Sequence, residues 1–213
     1  MFKYQILVEY AGTNFRGWQL QKRGKPIQGL IQEKISKLLK EKIILQGSGR
    51  TDTGVHAIEQ SAHFDSKSKI IKSDKFLKSI NHFLNKDGVA VLKLKKRKNS
   101  FHARFSAKMR IYKYIIINRL SGPVLEKSKA WHVMKALDSD LMKKGAKKFI
   151  GTMDFSTFRA SSCRAKSPIK TMKLVKIKSS KNRIEIEFRS QSFLQQQVRS
   201  MVGCLKYLGE NKW

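Results

Sequence analysis

The sequence predicts an α+β protein made of two ferredoxin-like units, and three observations predict it. Several short segments alternate between apolar and polar residues, the period of a strand. Longer segments between them carry apolar residues at helical spacing. In chain order these read β-α-β-β-α-β in the first half and β-α-β-β-α in the second, and the full six-element order is the ferredoxin-like one. The repeat is one of element order, with no residue-level repeat between the halves. With 213 residues, of which 40% are hydrophobic, the chain can bury a sizeable core.

Each element has its own justification. Phe2, Tyr4, Ile6, Val8 and Tyr10 share one parity, which predicts a first strand over Phe2 to Tyr10. Pro26 opens a helix with Ile27, Leu30, Ile31, Ile35, Leu38 and Leu39 on one side. Ile43 to Leu45 and Ala57 to Phe64 read as strands. Ser73 reads as the N-cap of a helix carrying Phe76, Leu77, Ile80, Phe83 and Leu84, and Val89 to Leu94 as the closing strand. The second half begins with a strand over Met109 to Ile117. A helix runs from Ser139 to Ile150, with Gly151 as its stop. Ile169 to Ile177 and Arg183 to Phe188 are strands, and a helix from Ser192 to Leu208 follows. The predicted units are 1–105 and 106–213, together one catalytic module, the second lacking its last strand. The predicted sheet is mostly antiparallel, with the helices on one face.

Composition narrows the function. Lys and Arg number 46 against 15 Asp and Glu, a formal net charge of +31, which calls for a polyanionic partner such as nucleic acid or an anionic membrane surface. No apolar run approaches the roughly 18 residues of a membrane span, and Gln5 and Glu9 break the N-terminal apolar run, so it is no secretory signal. Cys163 and Cys204 form no CxxC pair, which fits a reducing cytosol. The five His have no Cys or carboxylate partner at a zinc spacing, and no nucleotide fingerprint or Ser-His-Asp signature appears. No metal and no cofactor are expected.

The densest signal is Gly47-Ser48-Gly49-Arg50-Thr51-Asp52-Thr53-Gly54-Val55-His56-Ala57, between two strands. It places three Gly in eight residues, which permits close backbone approach, but its spacing fits neither GxGxxG nor a Walker loop. Arg50, two residues before Asp52, favours the ionised carboxylate and suits a phosphate or a displaced base. Composition alone favours a plain turn in which Asp52 caps a backbone N–H.

The residue order carries more. GRTDTGVHA resembles the active-site motif of the TruA family of tRNA pseudouridine synthases, GRTDxGVHA. Gly17-Trp18-Gln19 is similar to that family's GWQ, Phe101 to Ala107 to FHARFSA, and Arg110-Ile111-Tyr112-Lys113-Tyr114 to RxYxY. Asp154 to Arg159 matches DF(S/T)xFR, and Phe193-Leu194 with Val198-Arg199 and Met201-Val202-Gly203 matches the late helix. These six motifs, in family order, cover nearly the whole chain. The resemblance implies the pseudouridine synthase fold and isomerisation of uridine to pseudouridine at positions 38, 39 and 40 of the tRNA anticodon stem-loop.

By the same resemblance Asp52 is the catalytic carboxylate, Tyr112 packs on the target base and acts at C5, and Arg199 pairs with Asp52. Arg50 fills the space of the flipped nucleotide. Arg104 and Arg110, within the motifs, are expected to bind RNA, as are Lys95, Lys96 and Arg97 in the basic run before FHAR. His56 and His102 are expected to be structural. The implied partners are tRNA and a second copy in a homodimer, with no membrane or small-molecule cofactor, in the cytoplasm. The runner-up is a non-catalytic tRNA-binding or folding protein that retains the scaffold.

Three departures stand out. The family's EYDG reads Glu9-Tyr10-Ala11-Gly12 here. Gln195, Gln196 and Gln197 stand where a His usually precedes the Arg. Family members normally continue past this helix through a further helix and a GLYL-like closing strand, so the chain is expected to lack the usual C-terminal end.

Overall fold

The computed structural model describes residues 1–21 and 24–212; Trp213, the expected last residue of the second unit, lies outside them. The chain divides into two compact units, Met1–Ala107 and Lys108–Trp213.

The first unit contains β1 (Phe2–Tyr10), α1 (Ile27–Leu39), β2 (Gln46–Gly47), β3 (Ala57–Ser66), α2 (Ser73–Leu84) and β4 (Val89–Arg97). Its sheet order is β2-β3-β1-β4, every pair antiparallel, which is the ferredoxin-like arrangement. The alternation read in β1 is the reason for the layers. Tyr4, Ile6, Val8 and Tyr10 are buried with Ile27, Ile31 and Ile35 of α1 and Phe76, Ile80 and Leu84 of α2. Successive strand side chains point to opposite faces, so Lys3, Gln5, Leu7 and Glu9 face away from this core.

Two expectations shift here. Ile43 and Leu45 are buried and alternate, but they are no strand. Their amides donate to side chains of α1, Ile43 to Ser36 Oγ and Leu45 to Gln32 Oε1, both at 3.1 Å. The ladder begins only at Gln46, opposite His63. Ser73 is not the N-cap of α2 but its first helical residue; Lys72 stands at the cap without a side-chain hydrogen bond.

The second unit contains β5 (Arg110–Asn118), β6 (Trp131–Val133), α3 (Ser139–Lys147), β7 (Gly151–Asp154), β8 (Ile169–Ser180), β9 (Arg183–Ser190) and α4 (Gln197–Gly209). Its order is β6-β5-β9-β8-β7. β6 runs parallel to β5 and pairs only with Ile116–Asn118; the other pairs are antiparallel. Ile184, Ile186 and Phe188 of β9 pack with Met142 and Ala146 of α3 and Met201, Val202 and Leu205 of α4. β6 and β7 were not anticipated, because strands of three and four residues carry too little alternation to register. α3 opens on Asp138, whose carboxylate accepts the amides of Asp140 and Leu141, and it ends at Lys147 rather than Ile150. α4 begins at Gln197, five residues after the predicted Ser192, because Gln196 adopts a left-handed φ of 61° that helical backbone cannot continue. Among the described residues no strand follows α4. No helix among them is long and apolar enough to cross a membrane.

Candidate active site and RNA interface

The loop between β2 and β3 is set by backbone bonds to its surroundings. Trp18, 1% exposed, donates its backbone N–H to Thr51 O at 3.1 Å. Its indole fills the space above Gly47, where an added Cβ would stand 2.5 Å from Nε1. Tyr10 OH bonds Thr51 Oγ1 at 2.8 Å and its ring lies 6.0 Å from that of Trp18. Gly17 has φ +75°, and a Cβ there would come within 2.5 Å of Thr51 O. Only Gly meets both demands without strain. The GWQ segment is therefore the seat of the GRTD loop.

Around this seat, Ser48 N donates to Ser61 O at 2.8 Å and Gln60 Nε2 to Gly49 O at 2.7 Å. Val55 N closes a turn onto Asp52 O at 3.2 Å. Gly12 N donates to His56 Nδ1 at 3.3 Å, which gives His56 a structural task. Arg50 and Asp52 are exposed on this fixed backbone. Ala11 is exposed too, with its amide on Gly88 O, so its missing carboxylate leaves no hole.

The expected basic run lies on β4, and the pleat divides it. Lys95 and Arg97 stand opposite Gln5 and Lys3 on the face away from the helices, whereas Lys96 stands opposite buried Tyr4. The Lys96 ammonium lies 5.1 Å from the Phe2 ring. Arg97 Nε donates to Gln5 Oε1 at 2.7 Å, and its guanidinium lies 5.1 Å from the Phe101 ring. Arg104 is exposed, 5.7 Å from Phe105. Its segment is tied to β3 by His63, 2% exposed, whose Nδ1 accepts the Ala103 amide at 3.2 Å. Sequence reasoning missed His63, because nothing in a strand alternation announces a partner 40 residues away.

The second unit holds the other expected residues. Tyr112, half-buried on β5, meets the Phe193 ring edge-on at 5.0 Å and 89°. Arg110 Nη1 donates to Gln191 O, binding the start of β5 to the end of β9. Arg199 is exposed in the first turn of α4. That turn is organised by Gln197, which is fully buried. Its Oε1 accepts the Leu194 amide at 2.8 Å, while its Nε2 has no hydrogen-bond partner. Gln197 was noted only as a departure, and its burial was not legible beside two exposed glutamines.

Phe155 is fully buried. The side chain and amide of Ser156 hold the Asp154 carboxyl below the usual carboxylate range. Ala160 N donates to Gln195 O at 3.0 Å. Nearby, hydrogen bonds from the Gln195 and Ala165 backbones lower the Cys163 thiol below the ordinary thiol value. Asp52 and Arg50 thus belong to one unit, Tyr112 and Arg199 to the other. No cluster of metal-ligating side chains occurs among the described residues.

Comparison with known proteins shows what the chain is similar to. The profile of a family described as tRNA pseudouridine synthase matches residues 6–106 and 146–213. Tyr112 lies between the two matched stretches. A protein named tRNA pseudouridine synthase A from Pelagibacter ubique is 71% identical over all 213 residues, which cover 87% of its own length. Proteins of the same name from Paramagnetospirillum magneticum and Zymomonas mobilis subsp. mobilis are 43% and 41% identical over the whole chain, which covers 83% and 86% of their lengths.

Proposed function

The chain belongs to the tRNA pseudouridine synthase family, and from that premise we propose that it isomerises uridine to pseudouridine at positions 38, 39 and 40 of the tRNA anticodon stem-loop, with Asp52 as the catalytic carboxylate. The observation that carries this reading is the exposed Asp52 on a loop immobilised by Gly17, Trp18 and Tyr10. A reaction that detaches a base and rejoins it needs its carboxylate held still.

The chemistry is an isomerisation. The N1–C1′ bond breaks, a C5–C1′ bond forms, C5 loses a proton and N1 gains one, so no oxidant, reductant or second substrate enters. That balance is the same whether Asp52 adds at C6, adds at C1′ or assists elimination to a glycal. The target uridine must leave its stack, at a cost of a few kcal/mol offset by stacking and phosphate contacts. In this reading Arg50 fills the vacated space, Tyr112 packs on the base and serves the proton at C5, and Arg199 keeps Asp52 ionised. Lys95, Lys96, Arg97, Arg104 and Arg110 contact the RNA backbone, and the net charge of +31 supports that footprint. Two copies form a homodimer in the cytoplasm and grip one tRNA between them; light scattering at micromolar concentration tests this, and a stable monomer overturns it.

The decisive experiment incubates the protein with unmodified tRNA and maps pseudouridine chemically. Conversion confined to positions 38, 39 and 40 is expected. Bound tRNA whose uridines stay unchanged would replace the enzyme with a non-catalytic RNA-binding protein.

A further inference from the structure

Two histidines stand outside the proposed chemistry, and one short segment uses both. His63 Nδ1 accepts the backbone N–H of Ala103, and His102 Nδ1 accepts that of Arg104, the next amide, each at 3.2 Å. The two rings lie 4.6 Å apart. Consecutive amides are thus held by neighbouring imidazoles. The second bond copies the turn an Asn side chain makes with the amide two residues on. The remaining nitrogen of His63 bonds the Gln46 backbone, which leaves Nδ1 an acceptor only while the ring is neutral. An imidazolium donates from both nitrogens and cannot accept the Ala103 amide.

We propose that His63 and His102 form a clamp that positions Arg104 toward the RNA, and that protonation of His63 releases residues 101–107 from the sheet. The proposal rests on the reading of Arg104 as an RNA contact. The segment has neither strand nor helix. Its other backbone bonds are local, Phe101 N to Lys98 O and Ser106 N to His102 O. The bond between Ala103 and His63 joins it to the sheet, and Ala103 is itself 3% exposed.

The charged groups around the clamp come from every neighbouring element. Lys3 of β1 pairs with Asp65 of β3 at 2.8 Å. Lys95 and Arg97 of β4 share the face, with Arg97 on the Phe101 ring. Burial first, then His102 and Lys3, lower the proton affinity of His63 below the ordinary value of 6.5, and Asp65 opposes them. The clamp is therefore closed at neutral pH and opens in acid.

Acid adds positive charge everywhere, which by itself tightens the grip on a polyanion. The clamp predicts the opposite sign. The test measures tRNA binding by the full chain from about pH 7.5 to about pH 5.5 at fixed ionic strength, with hydrogen exchange at the Ala103 and Arg104 amides. Wild-type affinity is expected to fall about threefold or more, with faster exchange at the Ala103 amide, since its hydrogen bond to His63 is lost. The variant His63→Asn keeps an acceptor that does not titrate, so its affinity stays flat or rises. His63→Leu, which has no acceptor, binds about tenfold more weakly at every pH. Wild-type affinity that rises on acidification with unchanged amide protection overturns the clamp, whether or not the variants fold. Arg104→Ala with wild-type affinity would instead remove Arg104 from the RNA contacts, and the exchange measurement would still decide the clamp.

Discussion

The loop that presents Asp52 and the turn that presents Arg199 serve one proposed reaction but are held in different ways. The first is fixed by backbone amides, a buried indole and two glycines packed against neighbouring atoms. None of these groups titrates in the physiological range. The second turns on one left-handed glutamine and one buried side-chain amide whose Nε2 is unmatched. A non-Gly residue in the left-handed region costs about 1–2 kcal/mol, and an unmatched buried donor about 1–3 kcal/mol. The turn persists because Leu194, Met201, Val202 and Leu205 around it are buried. The carboxylate is over-determined, whereas the arginine rests on a strained support, and strain that survives in this way is a common companion of functional turns.

The largest effect should come from the over-determined side. Asp52→Asn leaves the loop in place and removes only the charge. Turnover should fall by at least about 10³-fold, because a neutral amide is neither nucleophile nor base. Binding of tRNA should stay within about tenfold, because phosphate contacts remain. Near-normal turnover in a pseudouridine mapping assay would remove Asp52 from the chemistry. Next in size is Gly17→Ala, which meets both a φ of +75° and Thr51 O. It should cost roughly 1–3 kcal/mol in chemical denaturation and lower turnover as well. Gly203→Ala on α4 is the matched control, since nothing lies within 4 Å of its added Cβ; in a helix it should stabilise by up to about 1 kcal/mol. Equal penalties at the two sites would erase the contrast.

How much of this was legible follows from what kind of interaction holds each part. β1 was read to the residue, because its alternation reports one face against one core. The helices were found, but one predicted strand and the start of α4 shifted where a side-chain bond or a single backbone angle intervened. Ser36 and Gln32 took the amides that would have made a strand of Ile43 to Leu45. Gln196 delayed α4 by a single positive φ, which no propensity encodes. In the proposed site, the motifs pointed to Arg50 and Asp52, and the structure shows what holds their loop, since GWQ and GRTD touch although a helix separates them in the chain. His63 and Gln197 were invisible because their tasks are long-range or buried, and neither belongs to a motif that announces chemistry.

The turn at Arg199 admits a sharper probe. Gln197→Leu removes the unmatched Nε2 but strands the Leu194 N–H, so it exchanges one buried orphan for another. Folding free energy should change by less than about 1 kcal/mol. Turnover should nevertheless fall by roughly tenfold, since a displacement of the order of an ångström at a reacting group has effects of that scale or larger. Gln197→Ala opens a cavity as well and should lose about 2 kcal/mol or more of stability. If Gln197→Leu keeps full turnover, the amide does not set the position of Arg199, and the strained turn is structural only.

The smallest effect tests whether the first unit depends on any titrating group at all. Thr51 is seated by the Trp18 amide and the Tyr10 hydroxyl, whereas the Phe101–Ala107 segment leans on His63. Burial is the first cause of the lowered proton affinity of His63, so the folded state takes up its proton at lower pH than the ordinary 6.5. Below that value the unfolded chain holds more protons than the folded one, and stability rises with pH. The contribution is therefore fully present above pH 6.5 and is lost as pH falls through the interval between 6.5 and the folded-state value. One proton bounds the slope at about 1.4 kcal/mol per pH unit. Urea denaturation at about pH 7 and about pH 5.5 should show the wild type weakening in acid and His63→Asn weakening less. Glu33, Glu41, Asp87, Asp140, Asp154 and Glu210 do not confuse the comparison, because their carboxyls are all lowered from 4.5 or 3.8 and titrate below this window. Parallel pH profiles for the two proteins would mean that His63 gives up its acceptor role without consequence for the stability of the first unit.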